Sequence, residues 1–216
     1  MKHTMRTFNP YTLFMFVYFL SGCSGHPKID SIEEYLRWLN KEESGLVKIR
    51  HIHGIELKVK FLPTDYWMYL ERSKTNPGEG AEHGMSIDQQ SITFLMCIGP
   101  DERKNKGKDI MWQGIFSYPE YKERMHQLNF ALQDRVSLRL GNHTYQPVLA
   151  RMENVYGLQP SRNIIFVFVP SASEHQDGLQ QYEKIDFVFE DDLFDTGINH
   201  FVFRTEDIEN TPHFTL

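Results

Sequence analysis

The chain has 216 residues, a formal net charge of −6 and 40% hydrophobic residues. That acidic balance argues against nucleic acid as a partner and against docking on anionic lipid, while the length suits one core or two small ones. Cysteines at positions 23 and 97 only exclude a fold built on disulfides.

Residues 1–10 carry Lys2 and Arg6 and no acid, and Leu13 to Leu20 (LFMFVYFL) is an unbroken apolar run. The run has the length of a signal-peptide core and falls well short of the roughly 20 residues a membrane span needs. Leu20-Ser21-Gly22-Cys23 follows it directly. This arrangement resembles the lipobox of bacterial lipoproteins. The resemblance implies a signal peptide over 1–22, cleavage before Cys23, and a diacylglycerol on the Cys23 thiol. The membrane is then a partner through that lipid, with acyl chains contributing about 0.8 kcal/mol per buried methylene. The position after the cysteine holds Ser24 rather than the aspartate of many inner-membrane lipoproteins, which by the same resemblance favours the outer membrane. Acylation of Cys23 leaves Cys97 no disulfide partner. In ITFLMCI (92–98) Cys97 reads as a small core residue.

Residues 23–29 form a polar linker. Ser31 and Glu34 then have capping-box spacing, and Ile32, Tyr35, Leu36 and Leu39 make one apolar helical stripe that Ser44-Gly45 ends. A hairpin follows in LVKIRHIHGIELKVKF. A three-residue loop Ile52-His53-Gly54 pairs Ile49 with Leu57, Val47 with Val59 and Arg50 with Glu56, and sets every apolar residue of the ladder toward the core. Pro63 opens a short helix through TDYWMYLER, and 73–86 reads as a loop. Strands at 91–98 and 110–117 flank a charged hairpin tip, GPDERKNKGKD. Tyr121, Met125, Leu128 and Leu132 then mark a second amphipathic helix.

From Val136 the pattern changes to short strands: VSLRL, YQPVLARMENVY, NIIFVFV, KIDFVFE and NHFVFR. Turn signals at this spacing point to an immunoglobulin-like β-sandwich. NIIFVFV is apolar on both faces and is expected to be central. The fold class expected is mostly β (α+β), an α+β region over 30–133 followed by the sandwich over 134–216.

Motifs that would name a reaction are missing: no G-x-S-x-G, H-E-x-x-H, C-x-x-C or phosphate-cradling glycine loop is present, so no catalytic residue and no cofactor is assigned. His51 and His53 would share a face on a continuous strand, but the turn separates them. Glu190, Asp191, Asp192 and Asp195, with Gly197 and Asn199, are the densest oxygen cluster. Asp191, Asp192 and Asp195 are the metal candidates. Bunched carboxylates interrupted by Leu193 and Phe194 read rather as a solvated turn than as a calcium loop. Tyr66, Trp67, Tyr69, Trp112 and Tyr118 are aromatic positions that suit either a core or a binding surface. The function expected is a lipid-anchored, non-catalytic binding or scaffolding accessory with a protein partner in the cell envelope. The alternative is a surface glycan-binding protein or hydrolase.

Overall fold

The computed structural model describes residues 29, 31–66, 69, 91–105, 107–153, 159–170 and 178–212. Residues 1–22 and Cys23, with the resemblance they carry, lie outside these, as do Trp67 and the loop 73–86. Among the described residues no helix is long and apolar enough to cross a membrane.

The fold is mostly β. Strands β1 (Val47–Ile52), β2 (Ile55–Leu62), β3 (Ile92–Pro100), β7 (Arg162–Phe168) and β6 (Leu149–Met152) form one antiparallel sheet in the order β1-β2-β3-β7-β6. Strands β5 (His143–Tyr145), β4 (Val136–Leu140), β8 (Lys184–Asp191) and β9 (Gly197–Arg204) form a second, in the order β5-β4-β8-β9. Helices α1 (Ile32–Leu39), α2 (Glu102–Asn105), α3 (Tyr118–Phe130) and α4 (Thr205–Glu209) lie around them.

Alternation places Leu57, Val59, Phe94, Met96, Ile164, Phe166 and Phe168 of the first sheet in one core with Leu138, Phe187, Phe189, Phe201 and Phe203 of the second. Phe94 is the hinge of that core, its ring 5.0 Å from Phe187 and 5.2 Å from Phe203. Burying each such ring contributes about 2–3 kcal/mol, and each tilted pair roughly 0.5–1.5 more. Strand β7 is paired on both edges, and its other face joins Ile165 and Val167 to Leu62 in a smaller cluster on the outside of the sheet. The first sheet takes strands from before and after residue 133, because β3 pairs with β7. It thus combines strands of the expected α+β region, 30–133, with strands of the expected sandwich, 134–216.

The hairpin is shifted by one residue from the expected register. Ile52 pairs with Ile55, Arg50 with Leu57 and Ile49 with Lys58, around a two-residue turn. His53 and Gly54 both have positive φ, 51° and 81°, the geometry whose twist matches a tight hairpin. The core side of β1 then carries Lys48 and Arg50. These are tolerated because β1 is an edge strand. The Lys48 ammonium lies 5.7 Å from the Phe203 ring and the Arg50 guanidinium 5.7 Å from Phe201, so their stems cover the margin of the core. Inward cations at an edge also discourage pairing with another sheet.

Three further expectations change. The strand at 110–117 is instead a 3-10 turn, Ile110–Trp112, capped by Asp109, and the charged tip contains α2. The first helix ends at Asn40, and a separate 3-10 turn, Glu42–Ser44, leads to Gly45. The long strand 145–156 breaks at Gln146-Pro147, where the chain leaves β5 in one sheet and enters β6 in the other. Proline's missing N–H suits that crossing.

Candidate functional site

The 3-10 turn Ile110–Trp112 buries Ile110 and Met111 and so turns Trp112 outward, 47% exposed. Asp109 fixes the turn from below. Its Oδ1 accepts from the Met111 amide at 2.9 Å and its Oδ2 from Arg162 Nη2 at 2.7 Å. Gly114, at φ 69°, lets the chain double back toward α3.

Ser117 and Glu120 then close a reciprocal capping box. Glu120 Oε2 accepts from both the Phe116 and the Ser117 amides at 3.1 Å, and Ser117 Oγ accepts from the Glu120 amide. Those backbone bonds, Phe116 first, hold the Glu120 carboxyl below its usual range. They also fix the backbone under Phe116, whose ring is 95% exposed.

Tyr121, one turn into α3, stacks on Trp112 at 4.8 Å and on Tyr118 at 6.2 Å. The result is an aromatic corner of Trp112, Phe116, Tyr118 and Tyr121 on a rigid backbone. Arg124 anchors it from behind. Its Nη1 donates to the carbonyls of Gln113 at 2.6 Å and Met111 at 3.3 Å, its Nη2 donates to Leu193 O at 2.8 Å, and its guanidinium lies 4.6 Å from the Phe194 ring. Burial lowers its pKa from the ordinary arginine value.

Of the sequence-predicted aromatics, Trp112 and Tyr118 are exposed, whereas Tyr66 is half-buried against the core with its ring 6.2 Å from Tyr35. Phe116 and Tyr121 also belong to the corner; Tyr121 was legible only as the first residue of the second helical stripe, and Phe116 lies in the segment expected as a strand.

The acidic loop is organised by protein donors. Asp191 is buried, its Oδ1 accepting from the amides of Leu193 and Phe194 and its Oδ2 from the amide and hydroxyl of Thr196. Asp192 pairs with Arg135 at 2.6 Å, which lowers its pKa. Asp195 sits at φ 58°, and its carbonyl lies 2.9 Å from His53 Nδ1, so the two sequence clusters meet across a cleft of about 470 Å³. His51 stands apart, 3.6 Å from Asp101 and 3.8 Å from Glu56. Among the described residues no three His, Cys, Asp or Glu side chains are grouped to hold a metal ion. Cys97 is not in the core. It is half-buried on the outer face opposite Lys58 and Asn163, and burial raises its thiol pKa.

A second cavity, of about 400 Å³, has Tyr35, Phe61, Ile92, Leu179 and Ile208 among its apolar walls and Asp65, Ser91, Glu209 and Thr211 among its polar ones. Ser91 Oγ and Thr211 Oγ1 are buried with no hydrogen-bond partner. An unsatisfied buried hydroxyl costs about 1–3 kcal/mol. Burial, followed by the Asp65 charge, pushes the Tyr35 phenol well above its usual range.

Compared with known proteins, the chain matches no family model, no curated protein and no solved structure.

Proposed function

We propose that this chain is a lipid-anchored cell-envelope lipoprotein, tethered at Cys23 and favouring the outer membrane, that serves as a non-catalytic binding or scaffolding accessory. Its two sheets act in this reading as an immunoglobulin-like carrier, and the aromatic corner is the surface that meets a protein partner. The observation that carries the binding part is Phe116, an almost fully exposed phenyl held on a backbone fixed by Glu120. Large apolar side chains on rigid backbone are the usual anchors of protein interfaces, since little conformational freedom is lost on contact.

Two measurements test the proposal. The full chain should incorporate a palmitate analogue, and Cys23→Ser should abolish both labelling and cleavage before residue 23. A pull-down from detergent-solubilised membranes should recover an envelope protein with the parent and lose it with Phe116→Ala/Trp112→Ala at an unchanged melting temperature. Recovery that is equal with the double variant would sink the corner as the interface.

The Trp112–Tyr121–Tyr118 stack favours one second reading, a surface glycan-binding protein or hydrolase. It predicts retention on envelope polysaccharide that Trp112→Ala removes. The pull-down would then recover no protein.

A further inference from the structure

We infer that the cavity bounded by Tyr35, Ile92, Leu179 and Ile208 binds a small neutral molecule with an apolar body and one uncharged polar head. Its apolar side chains come from α1, β2, β3, α4 and the turn Gly178–Gln181, so it is a built space between elements and not a crease in one loop. At about 400 Å³ it lies in the range of small-ligand sites, which are mostly apolar with a few placed polar groups.

The placed polar groups are two hydroxyls. Ser91 stands just before β3 and Thr211 just past α4, so separate parts of the chain bring them to one lining. Ser91 Oγ and Thr211 Oγ1 are both buried, Thr211 as a whole being 8% exposed, and neither makes a hydrogen bond with a protein group. A buried hydroxyl without a partner costs stability, so alanine and valine would serve a purely structural wall better. Each hydroxyl can donate and accept, and an alcohol or amide head can complete either one.

A charged ligand finds no match. The described lining includes no lysine, arginine or histidine to neutralise an anion. Of its two carboxylates, Asp65 already has an interaction within the protein, and Glu209 is exposed to water that screens it. Taking an ion from water onto an apolar wall without a buried counter-charge is costly, whereas a neutral head loses only bonds that Ser91 and Thr211 replace. This inference is independent of the aromatic corner, whose residues lie outside this lining.

Probes of one shape separate the possibilities: 2-phenylethanol and phenylacetamide with neutral heads, phenylacetate and 2-phenylethylamine with charged ones, and ethylbenzene with none. Each is titrated by calorimetry against the full chain in detergent at neutral pH, with the heat of the detergent alone subtracted. Both neutral-headed probes should bind, and both charged ones at least about tenfold more weakly. Thr211→Val and Ser91→Ala should each weaken the neutral-headed probes several-fold and leave ethylbenzene unmoved. Their melting temperatures should hold or rise, because each removes an unsatisfied hydroxyl. Leu179→Trp, at a half-buried position, should fill the space and abolish binding of every probe. Failure of both neutral-headed probes to bind the parent chain would overturn the inference. So would a charged probe that binds as tightly as they do, or a neutral-headed affinity unmoved by both Thr211→Val and Ser91→Ala.

Discussion

Lys60 Nζ donates to Asn40 Oδ1 at 2.6 Å, and that neutral oxygen is the hydrogen-bond acceptor for a lysine that is only 7% exposed. Asn40 is oriented for it, since its own amide donates to Leu36 O at 2.8 Å at the end of α1. One neutral oxygen does not offset the water that the ammonium gives up. Burial first, and Lys58 second, lower the Lys60 pKa to about 8.

The sign of the pH effect follows. Below pH 8 both folded and unfolded chains hold the proton, and the cost of the buried charge is fully present. Between about 8 and the ordinary value of 10.5 the unfolded chain holds more of it, so stability rises with pH through that window. The rise is at most about 3 kcal/mol at 1.36 kcal/mol per unit. Tyr35 and Cys97, whose pKa values are raised, oppose it at higher pH. The clean measurement is therefore the difference between parent and Lys60→Met in denaturant unfolding at pH 7 and pH 9.5. Lys60→Met should be the more stable at pH 7, and its advantage should shrink at pH 9.5. Parallel behaviour of the two chains would show that the ammonium is solvated.

The hairpin turn gives a second prediction. Gly54 at φ 81° follows His53 at φ 51°, and a β-branched residue at Gly54 is strained. Gly54→Val should cost about 1 kcal/mol or more. Register is read separately by cysteine pairs in a Cys97→Ala background. His51→Cys/Glu56→Cys joins residues that face each other, and it should oxidise readily. Arg50→Cys/Glu56→Cys joins opposite faces of the ladder and should stay reduced. The reverse outcome would restore the three-residue loop.

What was legible in the sequence was local. The period-2 runs of β2 and β8 and the stripe of α1 name their own faces, and Ser31 marks where α1 begins. The errors came where non-local contacts decide. Lys48 and Arg50 face inward because Phe203 and Phe201 of a distant strand lie beneath them, which no hairpin pattern contains. Ile110 and Met111 are buried as neighbours, which a 3-10 turn permits and an alternating strand does not. Pairing of β3 with β7 joins segments about 70 residues apart, so the sheets could not be divided by composition. The cavity hydroxyls, Ser91 and Thr211, had no signature because only the fold brings them to one wall.

Arg124 supplies a third prediction. Its guanidinium joins the 3-10 turn to the Asp191–Thr196 loop through carbonyls, with Phe194 against its face. Lysine cannot reproduce that planar fork. Arg124→Lys should destabilise by about 1–2 kcal/mol and Arg124→Met by somewhat more, because one ammonium cannot reach the carbonyls on both sides of the fork and a thioether donates to none. A lysine variant that melts with the parent would show that the carbonyls are solvated instead.

The acidic loop supplies the last. Asp191 gathers four donors, the amides of Leu193, Phe194 and Thr196 and the Thr196 hydroxyl, on two buried oxygens. Bonds to a charged acceptor are each worth about 1.5–3 kcal/mol, and buried donors left unpaired cost as much again as they lose. Asp191→Ala should therefore destabilise by at least about 3 kcal/mol, and Asp191→Asn by less, since one carbonyl oxygen still accepts. Asp192→Ala should cost under about 1 kcal/mol, because its pair with Arg135 has a carboxylate 73% exposed to water. A calcium ion would have to displace the amides that define the turn. The melting temperature should thus be the same in millimolar calcium and in chelator at matched ionic strength. A calcium-specific rise of several degrees, lost in Asp192→Asn, would mean that the loop opens to bind the ion, and that Asp191 orders it for that purpose.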